Sequence, residues 1–312
     1  MDRILVTPRS LTSAPPPALD RLVKAGFELV FSTPGATPSE AELLRLVPGC
    51  VGWLAGVEPV SEAVIVAADR LRIISRNGTG ADNLPHAALT ARGIKVARAM
   101  GANATGVAEL AVGLILSACR HIPETAAGIH SGGWPRLKGR EIEGTTVGIV
   151  GLGAIGHRVA RAMDALGARL LVHDPFRPDP KGLNIEFTDL VGLLERAEIV
   201  SLHCPAPENG CPLLDAEALA RLPRGAILVN TARANLVGAE ALLAALDEGR
   251  IGTYATDVFA VEPPAGDRLA THHRVLATSH IGALTDGSVA RATEAAVENL
   301  LLALHAPADA TG

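Results

Sequence analysis

Aromatic residues are scarce in this 312-residue chain: two Trp, one Tyr and five Phe, 3% of the whole. Its core must therefore be built mostly from Ala, Leu, Val and Ile. Net basic charge is absent too, the formal charge being −5. That excludes a general attraction to nucleic acid or to an anionic membrane, so any anionic ligand must be met by local cations. Cysteine is limited to Cys50, Cys119, Cys204 and Cys211, with no CxxC spacing. This pattern predicts no metal site and fits buried or incidental thiols in a reducing cytosol. No apolar run reaches membrane-spanning length, and MDRILVTPRS lacks the apolar stretch of a secretory leader. Repeats at solenoid period and low-complexity segments are missing as well. What remains is 48% hydrophobic and 20% charged, a globular composition long enough for one large domain or two ordinary ones.

The chain is organised around Thr145 to Asp174, TTVGIVGLGAIGHRVARAMDALGARLLVHD. The apolar run Val147 to Val150 predicts a buried strand. It breaks into Gly151-Leu152-Gly153-Ala154-Ile155-Gly156. Ile155, Val159, Ala162, Met163 and Leu166 then recur at helical spacing, and Gly167 closes the helix. A second strand, Arg169 to Val172, leads to Asp174. This is the order of a dinucleotide-binding βαβ unit. Gly151 permits the tight turn, Gly153 lets backbone approach a pyrophosphate, and Gly156 lets helix and strand pack closely. The helix start offers free N–H groups and partial positive charge to phosphates. Asp174, 18 residues after Gly156, can bond the ribose hydroxyls and would repel a 2′-phosphate. The cofactor predicted is therefore NAD rather than NADP, although Arg177 stands nearby.

Strand and helix patterns alternate over the rest of the chain, which predicts parallel sheets covered on both faces. Before residue 100 the strands are Arg3 to Val6, Glu28 to Phe31, Cys50 to Leu54, Leu71 to Ser75 and Ile94 to Val96. Helices are read at Ala18 to Ala25, Ser39 to Leu46 and Ser61 to Ala68. The loop Arg76-Asn77-Gly78-Thr79-Gly80-Ala81-Asp82-Asn83 follows a strand, where such sheets bind ligands. Its backbone N–H groups and Arg76 suit a carboxylate, although an ordinary turn reads equally well. One helix is expected from Asn103 to Ile122, capped by Asn103 or Thr105, as a bridge between domains. Beyond Asp174, strands are read at Ile199 to His203, Gly225 to Asn230, Gly252 to Thr256 and Val275 to Thr278. The intervening helices run from Asp215 through Leu222 and from Ala239 to Leu246, and a long Ala-rich helix ends the pattern at about Asp286 to Leu304.

Arg233, Glu262 and His280 lie at or just past strand ends in the second half. Each alone is unremarkable. Beside a nicotinamide site they form a chemical set. Oxidising a hydroxy acid needs a base for the hydroxyl proton, and histidine titrates nearest neutrality. A neighbouring carboxylate orients the ring and stabilises the imidazolium. An arginine clamps a substrate carboxylate with two parallel hydrogen bonds.

NTAR at Asn230 to Arg233, DVFAVEPP at Asp257 to Pro264 and SHIGALT at Ser279 to Thr285 resemble the three signatures of the D-isomer-specific 2-hydroxyacid dehydrogenases, closest to the phosphoglycerate dehydrogenase-like branch. RNGTGADN resembles the substrate loop of that family and GLGAIG its cofactor loop. The resemblance covers nearly the whole chain. It implies an α/β protein of two Rossmann-like or flavodoxin-like parallel-sheet domains with an interdomain cleft. The substrate-binding domain would take residues 1–101 plus about 286–312, and the NAD-binding domain about 102–285. Arg233, Glu262 and His280 would be catalytic, with Arg233 on the substrate carboxylate and carbonyl. The cofactor would meet Gly151, Gly153, Ala154, Ile155, Gly156, Asp174, His203, Pro205, Thr231, Ala232, Asp257, His280 and Gly282. The substrate would meet Arg76, Asn77, Gly78, Thr79, Gly80 and Arg233.

Some positions depart from the pattern. Ala234-Asn235 replaces the usual glycine after the NTAR arginine, and Pro207 and Gly210 replace threonines in the stretch after His203. Phosphoglycerate-acting relatives place a second arginine in the segment matching Trp53-Leu54-Ala55-Gly56, and this chain has none there. The resemblance thus implies NAD-dependent interconversion of a D-2-hydroxy acid and a 2-oxo acid, with phosphoglycerate, glyoxylate and hydroxypyruvate as candidates. An NAD-sensing corepressor-type protein on the same fold is the alternative. A cytoplasmic homodimer is expected, with Arg136 reaching across its interface and neither nucleic acid nor membrane as partner.

Overall fold

The computed structural model describes residues 1–81, 83–207 and 209–305; Asp82 and Glu208, both in segments singled out above, and the end of the C-terminal segment lie outside the described residues. The chain forms two compact units, Met1–Asn103 with Asp286–Gly312, and Ala104–Thr285.

The first unit holds five strands: β1 (Arg3–Val6), β2 (Glu28–Phe31), β3 (Cys50–Ala55), β4 (Ile73–Arg76) and β5 (Lys95–Arg98). They pair in parallel in the order β2-β1-β3-β4-β5. This is the doubly wound order with a switch point between β1 and β3. β3 is buried at every residue, as an interior parallel strand must be. The C-terminal helix Asp286–His305 packs Leu300 and Leu304 on the sheet. A Cβ at Gly52 would lie 3.1 Å from each of those leucines, so glycine sets that close approach. Ser39 and Ser61 cap the helices Glu40–Leu46 and Glu62–Ala67 by accepting bonds from Glu42 N and Val64 N.

The second unit holds seven: β6 (Thr146–Val150), β7 (Arg169–His173), β8 (Ile185–Phe187), β9 (Ile199–Leu202), β10 (Ala226–Asn230), β11 (Ile251–Thr256) and β12 (Val275–Ala277). The order β12-β11-β10-β9-β6-β7-β8 is parallel throughout and reverses at β6/β9, a Rossmann arrangement. Val147 and Ile149 point to one face, under the helix Ala104–Arg120, and Val150 points to the other. A Cβ at Gly148 would lie 2.5 Å from Leu193, so only glycine lets the helix Leu190–Arg196 sit down on that second face.

The expected single helix from Asn103 to Ile122 is two. It ends at Arg120, His121 adopts φ 50°, and a second helix, Ile122–His130, departs at 66°. Left-handed backbone at one residue stops the ladder although the apolar pattern continues. Just before the first helix, the Asn103 amide donates to Thr79 Oγ1 at 3.3 Å. Also unforeseen are β8 and the short helices Arg9–Ser13, His86–Ala91, Leu190–Arg196 and Arg268–Thr271. No single helix among the described residues is long and apolar enough to cross a membrane.

Candidate active site

At the carboxyl end of β6 the chain turns through Gly151 at φ 91°, where a Cβ would lie 2.8 Å from the His203 carbonyl oxygen. At Gly156 a Cβ would lie 1.9 Å from the Gly151 oxygen, an impossible approach. Gly153 is different, because nothing lies within 4 Å of its Cβ position. Two of the three glycines are thus required by the chain's own packing, while the third keeps the backbone bare toward open space. Leu152, Gly153, Ala154, His157, Arg158 and Lys181 line a cavity of about 330 Å³ there.

Asp174 follows β7 and holds this loop. Its Oδ2 accepts from Leu152 N at 2.8 Å and its Oδ1 from Phe176 N at 2.9 Å. A carboxylate has about four acceptor sites, so capacity for sugar hydroxyls remains. His203, just past β9, bonds Ser201 Oγ through Nε2 at 2.8 Å, while its Nδ1 is buried without a partner. Burial alone pushes its pKa down to about 4, so the ring is neutral at physiological pH. Thr231, just past β10, likewise has a buried, unpartnered Oγ1. Two orphaned polar atoms past adjacent strand ends and the bare Gly153 backbone fit a dinucleotide.

The NTAR turn is held by Asn230, whose Oδ1 accepts from Ala232 N at 3.0 Å while Nδ2 donates to the Arg233 carbonyl at 2.9 Å and the Tyr254 hydroxyl at 3.3 Å. Arg233 follows in extended conformation and bonds the Ala232 carbonyl through Nη1 at 2.8 Å. Glu262 and His280 meet: His280 Nδ1 is 2.7 Å from Glu262 Oε2. Glu262 Oε1 accepts from Phe259 N at 3.0 Å, which fixes the carboxylate. The imidazole side chain is 54% exposed, and among the described residues nothing pairs with its Nε2. An acceptor on Nδ1 assigns the proton there and leaves Nε2 to exchange protons with a ligand.

His280 itself sits at φ 55°. The residue that maintains this was not foreseen in that role. Asp257, 2% exposed, accepts from Thr278 Oγ1 at 2.6 Å, Ile281 N at 2.8 Å and Gly282 N at 2.8 Å. Its carboxylate ties down the loop that carries His280, from both sides of it. Thr278, one residue before the SHIGALT motif, was missed, although a hydroxyl so close to the motif was a signal.

In the first unit, Arg76 ends β4 and is 5% exposed, with Nε donating to the Gly80 carbonyl at 2.9 Å and Nη1 to the Ala55 carbonyl at 3.1 Å. It folds its own loop. Asn77 N bonds Ala55 O at 2.9 Å, Gly78 O accepts from Ala99 N at 2.9 Å, and Thr79 receives the Asn103 amide. Pro205 is exposed, and Gly210 takes φ 72° and bonds the Pro207 carbonyl at 3.3 Å.

Residues 112–282 match the family described as D-isomer specific 2-hydroxyacid dehydrogenase, NAD binding domain. The chain belongs to the D-isomer-specific 2-hydroxyacid dehydrogenases. Its cofactor is accordingly NAD, its class is NAD-dependent oxidoreductase, and its branch is phosphoglycerate dehydrogenase-like. It is 37% identical over 250 residues to a hydroxypyruvate reductase of Thermotoga maritima, covering 78% of this chain and 81% of that one. It is 39% identical over 272 residues to a D-3-phosphoglycerate dehydrogenase of Mycobacterium tuberculosis, covering 86% of this chain. It spans about half of that relative's length, 52%. Among solved structures, the TT0316 protein from Thermus thermophilus superposes with a TM-score of 0.86 at 36% identity, covering 97% of this chain and 96% of that one. The dehydrogenase glycine loop, Asp174, and the Arg233, Glu262 and His280 positions all fall within the matched residues.

Proposed function

We propose that this dehydrogenase reduces a small 2-oxo acid, of the size of glyoxylate or hydroxypyruvate, to the D-2-hydroxy acid and catalyses the reverse oxidation, with phosphoglycerate oxidation as the second reading. The observation that carries the proposal is the His280–Glu262 pair at 2.7 Å, with no hydrogen bond to Nε2 among the described residues. Bound NAD supplies the hydride acceptor, and NADH the donor. In reduction, His280 gives its Nε2 proton to the developing hydroxylate. In oxidation, neutral His280 takes that proton back. Glu262 holds the ring and stabilises the imidazolium. Arg233 binds the substrate carboxylate and carbonyl oxygen, which fixes the reacting carbon. Asp257 and Gly282 keep the His280 loop in place beside the cofactor. Gly151, Gly153, Ala154, Ile155 and Gly156 cradle the pyrophosphate, Asp174 the ribose, and His203, Pro205, Thr231 and Ala232 the rest of the dinucleotide. The second unit acts as the cofactor domain. The first acts as the substrate domain, through the loop Arg76 to Gly80.

Two further statements belong to the same reading. Exposed Ile122, Ile129, Trp134 and Leu137 support a homodimer formed through this stretch of the second unit. Four free thiols support residence in the reducing cytoplasm. The deciding experiment is a spectrophotometric panel of 2-oxo acids with NADH and NADPH. Turnover of at least one small 2-oxo acid with NADH is expected. No turnover with any, despite NADH binding, would replace the enzyme reading with the nucleotide-sensing one.

A further inference from the structure

The nucleotide loop has backbone donors but no charge of its own. Gly151 to Gly156 contain only Gly, Leu, Ala and Ile. Among the described residues, the N–H groups of Gly153, Ala154, Ile155 and Gly156 meet no acceptor. They offer a dipole to a pyrophosphate, but a doubly charged anion is held more tightly where a full cation also reaches it. The chain is acidic overall, so that cation must be local.

Arg158, Lys181 and Asp179 are the charged side chains lining the cavity of about 330 Å³ beside Gly153. Of these, Arg158 is held against the loop. Its backbone N–H bonds the Ile155 carbonyl at 2.9 Å, three residues back, which leaves the Ala154 carbonyl without its usual helical partner. Arg158 Nη1 takes that carbonyl instead, at 2.7 Å. This bond ties the guanidinium to the first helical turn, beside the bare Gly153 backbone. A guanidinium has five N–H donors, and no carboxylate among the described residues takes any of the others. Lys181 belongs to the loop after β7, where Asp179 Oδ1 accepts from its backbone N at 2.8 Å, and no bond among the described residues ties its ammonium to the glycine loop. We infer that Arg158 is a cofactor-binding residue, supplying the fixed positive charge that the NAD pyrophosphate meets at this loop. The guanidinium is charged at every working pH, so a neutral replacement weakens the binding of an anion whatever its neighbours carry. Arg158 is exposed, so water and salt screen the attraction and keep it modest.

The inference rests on the proposed role of the glycine loop and deepens it. Its test is NADH binding, followed by fluorescence titration without substrate. Arg158→Gln should raise Kd by about five- to tenfold. Arg158→Lys keeps the charge and should recover most of that loss. Arg161 carries the same charge one turn further along the helix and does not line the cavity. Arg161→Gln should therefore stay within about twofold of wild type. Competition identifies the part of the cofactor that is read. Arg158→Gln should weaken ADP as much as NADH, and should leave adenosine, which has no phosphate, within about twofold. Added salt should weaken NADH binding more steeply in wild type than in Arg158→Gln. An unchanged Kd in Arg158→Gln, an Arg158→Lys variant as weak as it, an equal loss in Arg161→Gln or for adenosine, or equal salt slopes would each overturn the inference while leaving the dehydrogenase reading intact. Wild-type protein that binds no NADH overturns both.

Discussion

Replacing Asp257 by Asn should both weaken the fold and slow the chemistry, although Asp257 is not an acid–base group. The carboxylate is 2% exposed and accepts three hydrogen bonds, two on Oδ1 and one on Oδ2. An asparagine keeps its oxygen where Oδ1 was, facing Thr278 Oγ1 and Ile281 N. Its NH₂ then stands against Gly282 N, donor against donor. One bond is lost outright and two lose their charge assistance. Bonds to charged groups contribute about 1.5–3 kcal/mol, neutral ones about 1, and an orphaned buried donor costs about 1–3. Taken at the low end of each range, the sum is a destabilisation of about 3–4 kcal/mol, which a protein of ordinary stability survives. The released segment carries His280 at φ 55°, a left-handed conformation that costs a non-glycine residue about 1–3 kcal/mol and persists only where neighbours enforce it. Once it relaxes, Nε2 loses its alignment, and turnover should fall at least about tenfold with NADH affinity changed far less. The assays are urea unfolding, where a slope of about 1–3 kcal/mol/M turns that loss into a midpoint lowered by roughly 1–4 M, and steady-state reduction of the best 2-oxo acid. An Asp257→Asn variant within about 0.5 kcal/mol of wild type and with turnover within about twofold would refute the reasoning, since surface-like substitutions behave that way.

Other outcomes follow from the same geometry. His280→Ala should lose about 10²–10⁴-fold in turnover while still binding NADH in a fluorescence titration, and near-normal turnover would sink the proposed acid–base role. Asp174→Ala should narrow the preference for NADH over NADPH and also loosen the glycine loop, whose Leu152 N it accepts at 2.8 Å; an enzyme equally efficient with NADPH before any mutation would remove Asp174 from its proposed task. His203 gives a pH dependence to stability. Its pKa is depressed from 6.5 to about 4 by burial, so between those values the unfolded chain takes a proton that the native one refuses. The stability present at neutral pH is therefore lost as pH falls through that window, by up to about 3 kcal/mol. His203→Gln, which cannot titrate, should flatten that part of the profile in chemical denaturation, and a profile identical to wild type would show that His203 is not its source.

Most of the strand framework was legible because parallel strands buried on both faces read as short apolar runs. β1 and β2 match the expected bounds, and the others of those runs shift by a residue or two. β8 was not legible. It has three residues with a charged one in the middle, and only pairing with β7 makes it a strand. The helix break at His121 was hidden for the opposite reason, since the apolar pattern runs on while the backbone does not.

The sequence by itself determined the nucleotide loop and singled out the residues proposed as the acid–base set. In the loop, the glycines, the helix start and Asp174 lie within one βαβ stretch, so spacing alone carries the geometry. Glu262 and His280 are 18 residues apart and were found by motif, but their 2.7 Å contact depends on two loops past strand ends meeting. Tertiary structure alone decided which donors surround Asp257 and Glu58. Asp257 reaches donors more than 20 residues away, and Glu58 accepts from a threonine 51 residues earlier in the chain. Nothing local distinguishes such a carboxylate from one on the surface. Parallel strands bring the ends of distant segments side by side, and a buried acid takes its role from whichever donors that arrangement places around it.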